Sequence, residues 1–227
     1  MNETEVVFLG KAIAFAAEKH KNQRRKDAQS TPYINHPLNV MNFLMKVSKG
    51  SMHVEYLSAA VLHDTIEDTN TTYEEIFNEF GYNVAEIVRG CSDNKSLDKV
   101  TRKRQQVDDV LNLSHNGTSF ITDGIIFVKL ADKYDNCRGL CDINTRPATW
   151  SSEEIDGYNY WALYICSILF EKLNSQGLKF PFTPIERTII KSLETTIFPM
   201  FKDNGYIIDD DIKNKLEIYY KHIENSE

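Results

Sequence analysis

Apolar residues recur along this chain at intervals of three and four positions, which is the spacing of one face of an α-helix. The first such segment covers about 3–21 and carries Val6, Leu9 and Ile13 on its apolar side. A second begins at Pro37, since proline is favoured in the first turn of a helix. No long run alternates apolar and polar residues as an amphipathic strand does. The pattern therefore predicts an all-α fold.

The remaining segments with helical spacing follow one another closely to the end of the chain. They cover about 54–64, 82–91, 100–112, 123–140, 151–175, 184–202 and 209–223. After the first of them, Thr71 or Thr72 begins a capping box, which predicts a short helix that ends at Gly81. The stretch LSHNGTSFITDG predicts a loop, and the acidic run Asp209–Asp211 is expected to cap the last helix.

Size and composition indicate one domain, with or without an appended segment. The 227 residues are 41% hydrophobic and 26% charged, which is ordinary globular composition. Because the residues able to carry chemistry lie before about 165, we expect a catalytic domain over 1–200 and a C-terminal helical extension over 201–227. No apolar run is long enough to span a bilayer, and the N-terminus does not resemble a signal peptide. We therefore expect a cytoplasmic protein.

The charge distribution favours a small-molecule partner. A net charge of −7 argues against nucleic acid or an anionic membrane as partners. A local exception is the basic cluster, which comprises Lys19, His20, Lys21, Arg24, Arg25 and Lys26. In an acidic protein such a cluster suggests a small anionic ligand, although a solvated basic helix end gives the same pattern. The four cysteines form no C-x-x-C pair, which favours reduced thiols over a metal site.

The segment VLHDTIEDT concentrates ionisable residues beside an apolar run. His63 and Asp64 are adjacent, and Glu67 and Asp68 follow at offsets of three to five positions. On a helix these offsets place all four side chains on one broad face. A cluster of this kind suits a metal site with a neighbouring proton acceptor. The alternative is a helix C-terminus whose acidic residues are simply solvated.

Two distant residues could complete a metal site. His36 lies in YINHP, and Asp132 lies in FVKLADKYDNCRGL, where helical spacing brings it to one face with Asp135 and Asn136. Two histidines and two aspartates suit a transition metal such as manganese, iron or zinc, with water in the open positions. No spacing rule links these residues, however, and for His36 alone a core or capping role is the better interpretation.

Several motifs occur together in an order that resembles a known family. They are RRKD, TPYINHP, LHDTIEDT, the helix with GY-x-V-x-E-I-V, RKRQQV and KLADKYDN. In this order the chain resembles the hydrolase domain of RelA/SpoT-type enzymes over about 5–200, and most nearly the small stand-alone metazoan SpoT homologues. The resemblance implies an all-α HD-domain helical bundle that holds one catalytic metal, usually Mn²⁺. It implies removal of the 3′-pyrophosphate of (p)ppGpp to give GDP or GTP, hydrolysis of the 2′-phosphate of NADPH to give NADH, or both.

The resemblance also implies roles for individual residues of this chain. The implied metal ligands are His36, His63, Asp64 and Asp132. Glu67 and Asp68 match the acidic pair that handles the attacking water. The implied substrate contacts are Arg25 and Lys26 near the base and phosphates, and Asn136 and Tyr158 near the ribose and phosphates. Two positions depart from the family pattern: Asp135 stands where an aromatic residue or histidine is common, and Glu154 where close relatives carry an arginine.

Three alternatives remain open beside this enzyme hypothesis. The chain could be an HD-domain nucleotidase acting on another nucleotide, or a catalytically silent nucleotide sensor. Retention of both Glu67 and Asp68 argues against a sensor, which needs neither. A helical interaction module would leave the clustered ionisable groups unexplained. The oligomeric state is not indicated by the sequence.

Overall fold

A computed structural model describes residues 1–113, 119–176 and 182–226. Within these ranges the chain forms ten helices and, apart from two isolated backbone bridges (Arg24 with Pro32 and Asp27 with Pro147), no β-structure. The prediction of an all-α fold is confirmed. In chain order the helices are α1 (Glu3–Lys19), α2 (Asn35–Val47), α3 (Val54–Leu62), α4 (Thr65–Asp68), α5 (Tyr73–Cys91), α6 (Lys99–Asn112), α7 (Ser119–Cys141), α8 (Ser152–Gln176), α9 (Pro184–Asp203) and α10 (Ile212–Glu224).

Helix boundaries follow the sequence signals with three informative exceptions. The helix predicted over 54–64 ends at Leu62, and a separate short helix, α4, follows it. The loop predicted for LSHNGTSFITDG is wrong from 119 onward, where α7 has begun; 114–118 lie outside the described residues. The acidic run lies at the N-terminus of α10 as expected, with Asp211 at the N-cap position, but the Asp211 side chain makes no capping hydrogen bond and the helix begins at Ile212 instead of residue 209.

Gly124 shows why the loop prediction failed. Glycine and neighbouring polar residues favour loops in isolation, but here Gly124 lies inside α7 and against another helix. A Cβ atom on Gly124 would lie 2.5 Å from Ile87 Cδ1. The glycine therefore permits close helix packing. Gly81 behaves as predicted: its φ of 81° and ψ of 174° break α5 into two helical segments.

The chain divides into two compact units. The first comprises Met1–Arg25, Ser30–Asp93 and the described part of Ser114–Asp135. Its centre is α3, in which every residue from Tyr56 to Leu62 is buried, and which packs against α1, α2 and α5. An apolar helix surrounded in this way is the expected core of a helical domain.

The second unit contains α6, α8, α9 and α10, and its ranges are Lys26–Gln29, Asn94–Leu113 and the described part of Asn136–Glu227. Helix α10 packs on α8 and α6. Gly157 lets α8 and α10 approach closely, because a Cβ atom at this position would lie 2.3 Å from Tyr219 Cδ2. Helix α9 continues through residue 200 to Asp203. A boundary at residue 200 between catalytic domain and extension stays a prediction. None of the described helices combines the length and hydrophobicity needed to cross a membrane.

Candidate metal centre

The polypeptide turns sharply where the His-Asp pair lies. His63 follows the last residue of α3, Asp64 has φ of −94° and ψ of −4°, and α4 begins at Thr65. The Thr65 hydroxyl donates to the Leu62 carbonyl at 2.6 Å, which secures the break between the two helices. His63 and Asp64 therefore lie at a helix junction. The expectation that they share one continuous helical face with Glu67 and Asp68 is corrected, because α3 ends before all four residues.

Helices α2 and α7 bring two further residues to this junction. His36 is only 2% exposed and Asp132 is half-buried. His36 Nε2 lies 3.1 Å from Asp132 Oδ1 and 3.7 Å from Asp64 Oδ2. A shared metal with ligand bonds near 2 Å requires His36 and Asp132 to lie within about 8 Å of each other. The structure meets that requirement, and brings all four residues together into what is called here the metal cluster.

The two ring nitrogens of His63 have different environments. Nδ1 lies 2.8 Å from the Ala60 carbonyl oxygen, which can only accept, so Nδ1 carries the hydrogen. In the neutral ring Nε2 then bears a lone pair. This atom is buried and makes no hydrogen bond, although Asp64 Oδ2 lies 3.1 Å away and Asp132 Oδ1 lies 3.7 Å away. A lone pair that faces two carboxylates is unfavourable unless a proton or a cation lies between them.

The donor set fits a divalent metal. Single donor atoms of His36, His63 and Asp64 all lie within 4.8 Å of one another, and Asp132 lies beside both imidazoles. Imidazole nitrogen with carboxylate oxygen suits first-row transition metals. A cation would also satisfy the buried Nε2 atom of His63. These residues could therefore hold a metal, as the sequence suggested.

Carboxylates control the ionisation of the cluster. Burial lowers the pKa of His63, but Asp64 and Asp132 outweigh burial and hold that pKa well above its usual value. Burial also lowers the pKa of His36, but the carboxylates of Asp132 and Asp135 raise it more, so that this pKa lies above its usual value. Burial raises the pKa of Asp132, but the Lys133 ammonium and the two imidazoles lower it well below its usual range. Without a metal the imidazoles therefore retain protons, which a divalent cation would displace.

Three neighbours of the metal cluster were not assigned by sequence reasoning. Asp135 Oδ2 accepts a hydrogen bond from His36 Nδ1 at 2.8 Å. The Tyr33 hydroxyl donates to Asp64 Oδ2 at 2.6 Å, and Lys133 Nζ lies 2.8 Å from Asp132 Oδ2. The available signals were weak. Tyr33 lies in the same short motif as His36, and Asp135 was placed on one helical face with Asp132 but was given no role.

Glu67 and Asp68 lie on α4, directly after the metal cluster. Glu67 Oε2 accepts a hydrogen bond from the Asp93 backbone N–H at 3.0 Å, which holds the carboxylate at the end of α5. The Asp68 carbonyl accepts from Gln23 Nε2 at 2.7 Å, which holds the backbone of α4. Both side chains are half-buried. Their proposed handling of water stays a prediction.

The predicted substrate contacts are divided between the two units. Arg25 belongs to the first unit, as does the metal cluster, and is half-buried. Lys26, which is exposed, Asn136, which is half-buried, and Tyr158 belong to the second unit. Tyr158 is buried, and Lys103 Nζ lies 4.7 Å from the centre of its ring. Contact of these four residues with a nucleotide stays a prediction.

Glu154 lies in the first turn of α8 in the second unit. Its Oε1 atom is 2.9 Å from Lys99 Nζ, and the two side chains are 16% and 30% exposed. Lys99 Nζ also lies 6.0 Å from the centre of the Trp150 ring, which in turn packs against Tyr158. Glu154 thus neutralises a lysine next to an aromatic group that includes Tyr158.

Comparison with known proteins gives consistent matches. The profile of the HD domain family matches residues 12–156. The guanosine-3′,5′-bis(diphosphate) 3′-pyrophosphohydrolase MESH1 of Danio rerio is 45% identical over 163 residues, which cover 71% of this chain and 84% of that protein. The Homo sapiens protein of the same name is 41% identical over 163 residues, with coverages of 71% and 84%.

One solved structure has the same fold over nearly its whole length. It is described as a metazoan ortholog of SpoT that hydrolyzes ppGpp and plays a role in starvation responses. It matches with a TM-score of 0.70 and 33% sequence identity, covering 88% of this chain and 97% of its own. All four residues of the metal cluster fall inside the matched range 12–156, whereas α9 and α10 fall outside it.

Proposed function

Since this chain belongs to the HD-domain family and, within it, to the metazoan SpoT homologues, we propose that it is a metal-dependent nucleotide hydrolase. Its proposed substrate is guanosine-3′,5′-bis(diphosphate) or the corresponding triphosphate, from which it removes the 3′-pyrophosphate. The observation that carries the proposal is the convergence of two buried imidazoles on the carboxylates of Asp64 and Asp132, with His63 Nε2 buried beside both carboxylates. A helical interaction module would not need several buried ionisable groups in one place, and burying such groups costs free energy. The named activity of the relatives supplies the substrate.

The metal would be held by His36, His63, Asp64 and Asp132. A divalent cation there supplies a water of lowered pKa and neutralises charge on the phosphoryl oxygens. We propose Mn²⁺, because histidine and aspartate together suit it and because the family resemblance implies it. Other divalent transition metals fit the same donors.

The chain's own residues then have distinct tasks. Glu67 accepts a proton from the water that attacks the phosphorus next to the ribose 3′ oxygen. The bond from that phosphorus to the 3′ oxygen breaks and the 3′ oxygen takes up a proton, so one water molecule is consumed, pyrophosphate is released and the nucleotide keeps a 3′ hydroxyl. The Asp93 amide holds Glu67 in place, and Asp68 assists the same water. Arg25 and Lys26 bind the anionic nucleotide, with Asn136 and Tyr158 at the ribose and phosphates.

Hydrolysis of the 2′-phosphate of NADPH stays a prediction from the family resemblance, since the relatives' names specify pyrophosphate removal from a guanosine nucleotide. Its product, inorganic phosphate, differs from the pyrophosphate released from ppGpp, so one assay separates the two activities. The expected cytoplasmic location is likewise a prediction. The small-molecule nucleotide partner follows from the proposed substrate.

The test is product release from a nucleotide panel. Purified full-length protein with added Mn²⁺ is given ppGpp, pppGpp, NADPH and ordinary nucleoside phosphates, with and without chelator. We expect pyrophosphate from the first two and no product after chelation. Release only from other nucleotides would indicate a different HD-domain nucleotidase. Protein that binds Mn²⁺ and ppGpp but releases nothing would be a sensor, and the proposed function would be wrong.

A further inference from the structure

Asp135 and Asp132 contact opposite sides of one imidazole ring. They lie three positions apart on α7, so both face the same side of that helix. Asp135 Oδ2 lies 2.8 Å from His36 Nδ1, and Asp132 Oδ1 lies 3.1 Å from His36 Nε2. His36 is 2% exposed and Asp135 is 6% exposed. The buried His36 imidazole therefore lies between two carboxylates of α7.

The two contacts on the His36 ring are not equivalent. Both carboxylates can only accept, so in the protonated ring Nδ1 donates to Asp135 and Nε2 donates to Asp132. For Nε2 to bind a metal it must give up its proton, and the remaining ring hydrogen is then on Nδ1, where Asp135 accepts it. His63 has the same tautomer but uses the neutral Ala60 carbonyl as its acceptor. The cluster thus has one imidazole oriented by a charged group and one oriented by a neutral group.

We propose that Asp135 is a positioning residue of the metal centre. It fixes the orientation and tautomer of His36, and as a charged acceptor it makes Nε2 a stronger donor to a divalent cation. Carboxylates that accept from the second nitrogen of a ligating histidine have this effect in metal sites generally. The inference rests on the proposed metal site and concerns a departure from the family pattern, because neither an aromatic residue nor a histidine at 135 would be a negatively charged acceptor.

The test is Mn²⁺ affinity in full-length variants, measured by competition with a fluorescent chelator and without substrate. Asp135→Ala is expected to weaken Mn²⁺ binding by roughly 10–100-fold. Asp135→Asn is expected to lose less, because its amide oxygen still accepts from Nδ1 while the charge is gone. The control is Asp123→Asn, a buried carboxylate on the same helix about 18 Å away at 1.5 Å per residue. It should leave Mn²⁺ affinity unchanged.

Several outcomes would overturn the proposal. One is Asp135→Ala that binds Mn²⁺ as tightly as the wild type. Another is equal loss in Asp135→Ala and Asp135→Asn, which would mean that charge acts without positioning. If Asp135→Ala does not fold, Asp135→Asn against the Asp123→Asn control decides. Wild-type protein without Mn²⁺ affinity would end the proposal. Wild-type protein that binds Mn²⁺ but hydrolyses no nucleotide would contradict only the proposed function, and the comparison at Asp135 would still hold.

Discussion

The ionisation of His36 and His63 links metal binding to pH. Burial lowers both pKa values, but the neighbouring carboxylates raise them more, so protons stay on the rings above the ordinary histidine pKa of about 6.5. A metal must displace those protons. Mn²⁺ affinity is therefore expected to fall as pH decreases from about 8 to about 6, by about tenfold per pH unit for each displaced proton. Chelator competition across this range measures it; a flat profile would mean that the imidazoles are not the ligands.

The ion pair of Glu154 with Lys99 leads to a prediction about the KM for ppGpp. Glu154→Gln removes a carboxylate that pairs with Lys99, and so lowers the negative charge near Tyr158, where the substrate phosphates are proposed to bind. We expect the KM for ppGpp to fall a few-fold with kcat unchanged, since partly exposed pairs contribute about 0.2–1 kcal/mol. Glu153→Gln, the exposed neighbour, makes the same change in net charge and is the control. An unchanged or raised KM in Glu154→Gln alone would show that this pair lies away from the substrate.

At the scale of single elements, helix periodicity located most helices, but individual side-chain contacts decided where two of them begin or end. The break after Leu62 depends on a hydrogen bond from Thr65, and helical periodicity did not predict this break. The early start of α7 depends on packing of Gly124 against Ile87. This second contact is tertiary, and it overrides local propensity, which is a weak signal for short segments. Gly81, whose backbone conformation is itself local, was predicted correctly.

The contact of α8 with α10 gives a stability prediction. Gly157→Ala would place a Cβ atom 2.3 Å from the ring of Tyr219, which is only 1% exposed. Overpacking of this kind costs about 1–3 kcal/mol, so urea unfolding should show that loss. Gly10→Ala in α1 is the control: nothing lies within 4 Å of the added atom, and removing a helical glycine stabilises by roughly 0.5–1 kcal/mol. Equal stability of the two variants would contradict this packing.

At the scale of the whole molecule, the sequence predicted the fold class and singled out the segment VLHDTIEDT. It did not predict which distant residues would join that segment in a site. His36 and Asp135 are 99 positions apart, and His36 and Asp132 are 96 apart. Periodicity extends over a helix and cannot join residues across such distances. Only the resemblance to a family named the cluster in advance. It did not anticipate the contacts of Tyr33 and Asp135, which depend on this chain's own side chains.

Lys26 of the basic cluster allows a test of substrate binding that is separate from stability. Lys26 is exposed, so Lys26→Ala should change the free energy of unfolding by less than about 0.5 kcal/mol. If it holds the anionic nucleotide, ppGpp affinity should fall in the same preparation. Lys49→Ala, at an exposed lysine of the first unit, controls for loss of one positive charge. Equal affinity in wild type and Lys26→Ala would show that this lysine is merely solvated.

The central claim is that one set of residues holds the metal while Glu67 acts on the water, and comparison of Glu67→Ala with Asp64→Asn tests it most directly. Metal stoichiometry, ppGpp affinity and kcat are measured on the same preparations. Asp64→Asn should lose Mn²⁺ and activity together. Glu67→Ala should keep its Mn²⁺ and its nucleotide affinity but lose about 10²–10⁴-fold in kcat, as expected for a positioned proton acceptor. Glu67→Ala that loses its metal would make Glu67 part of the metal centre, and Glu67→Ala with full activity would contradict the mechanism.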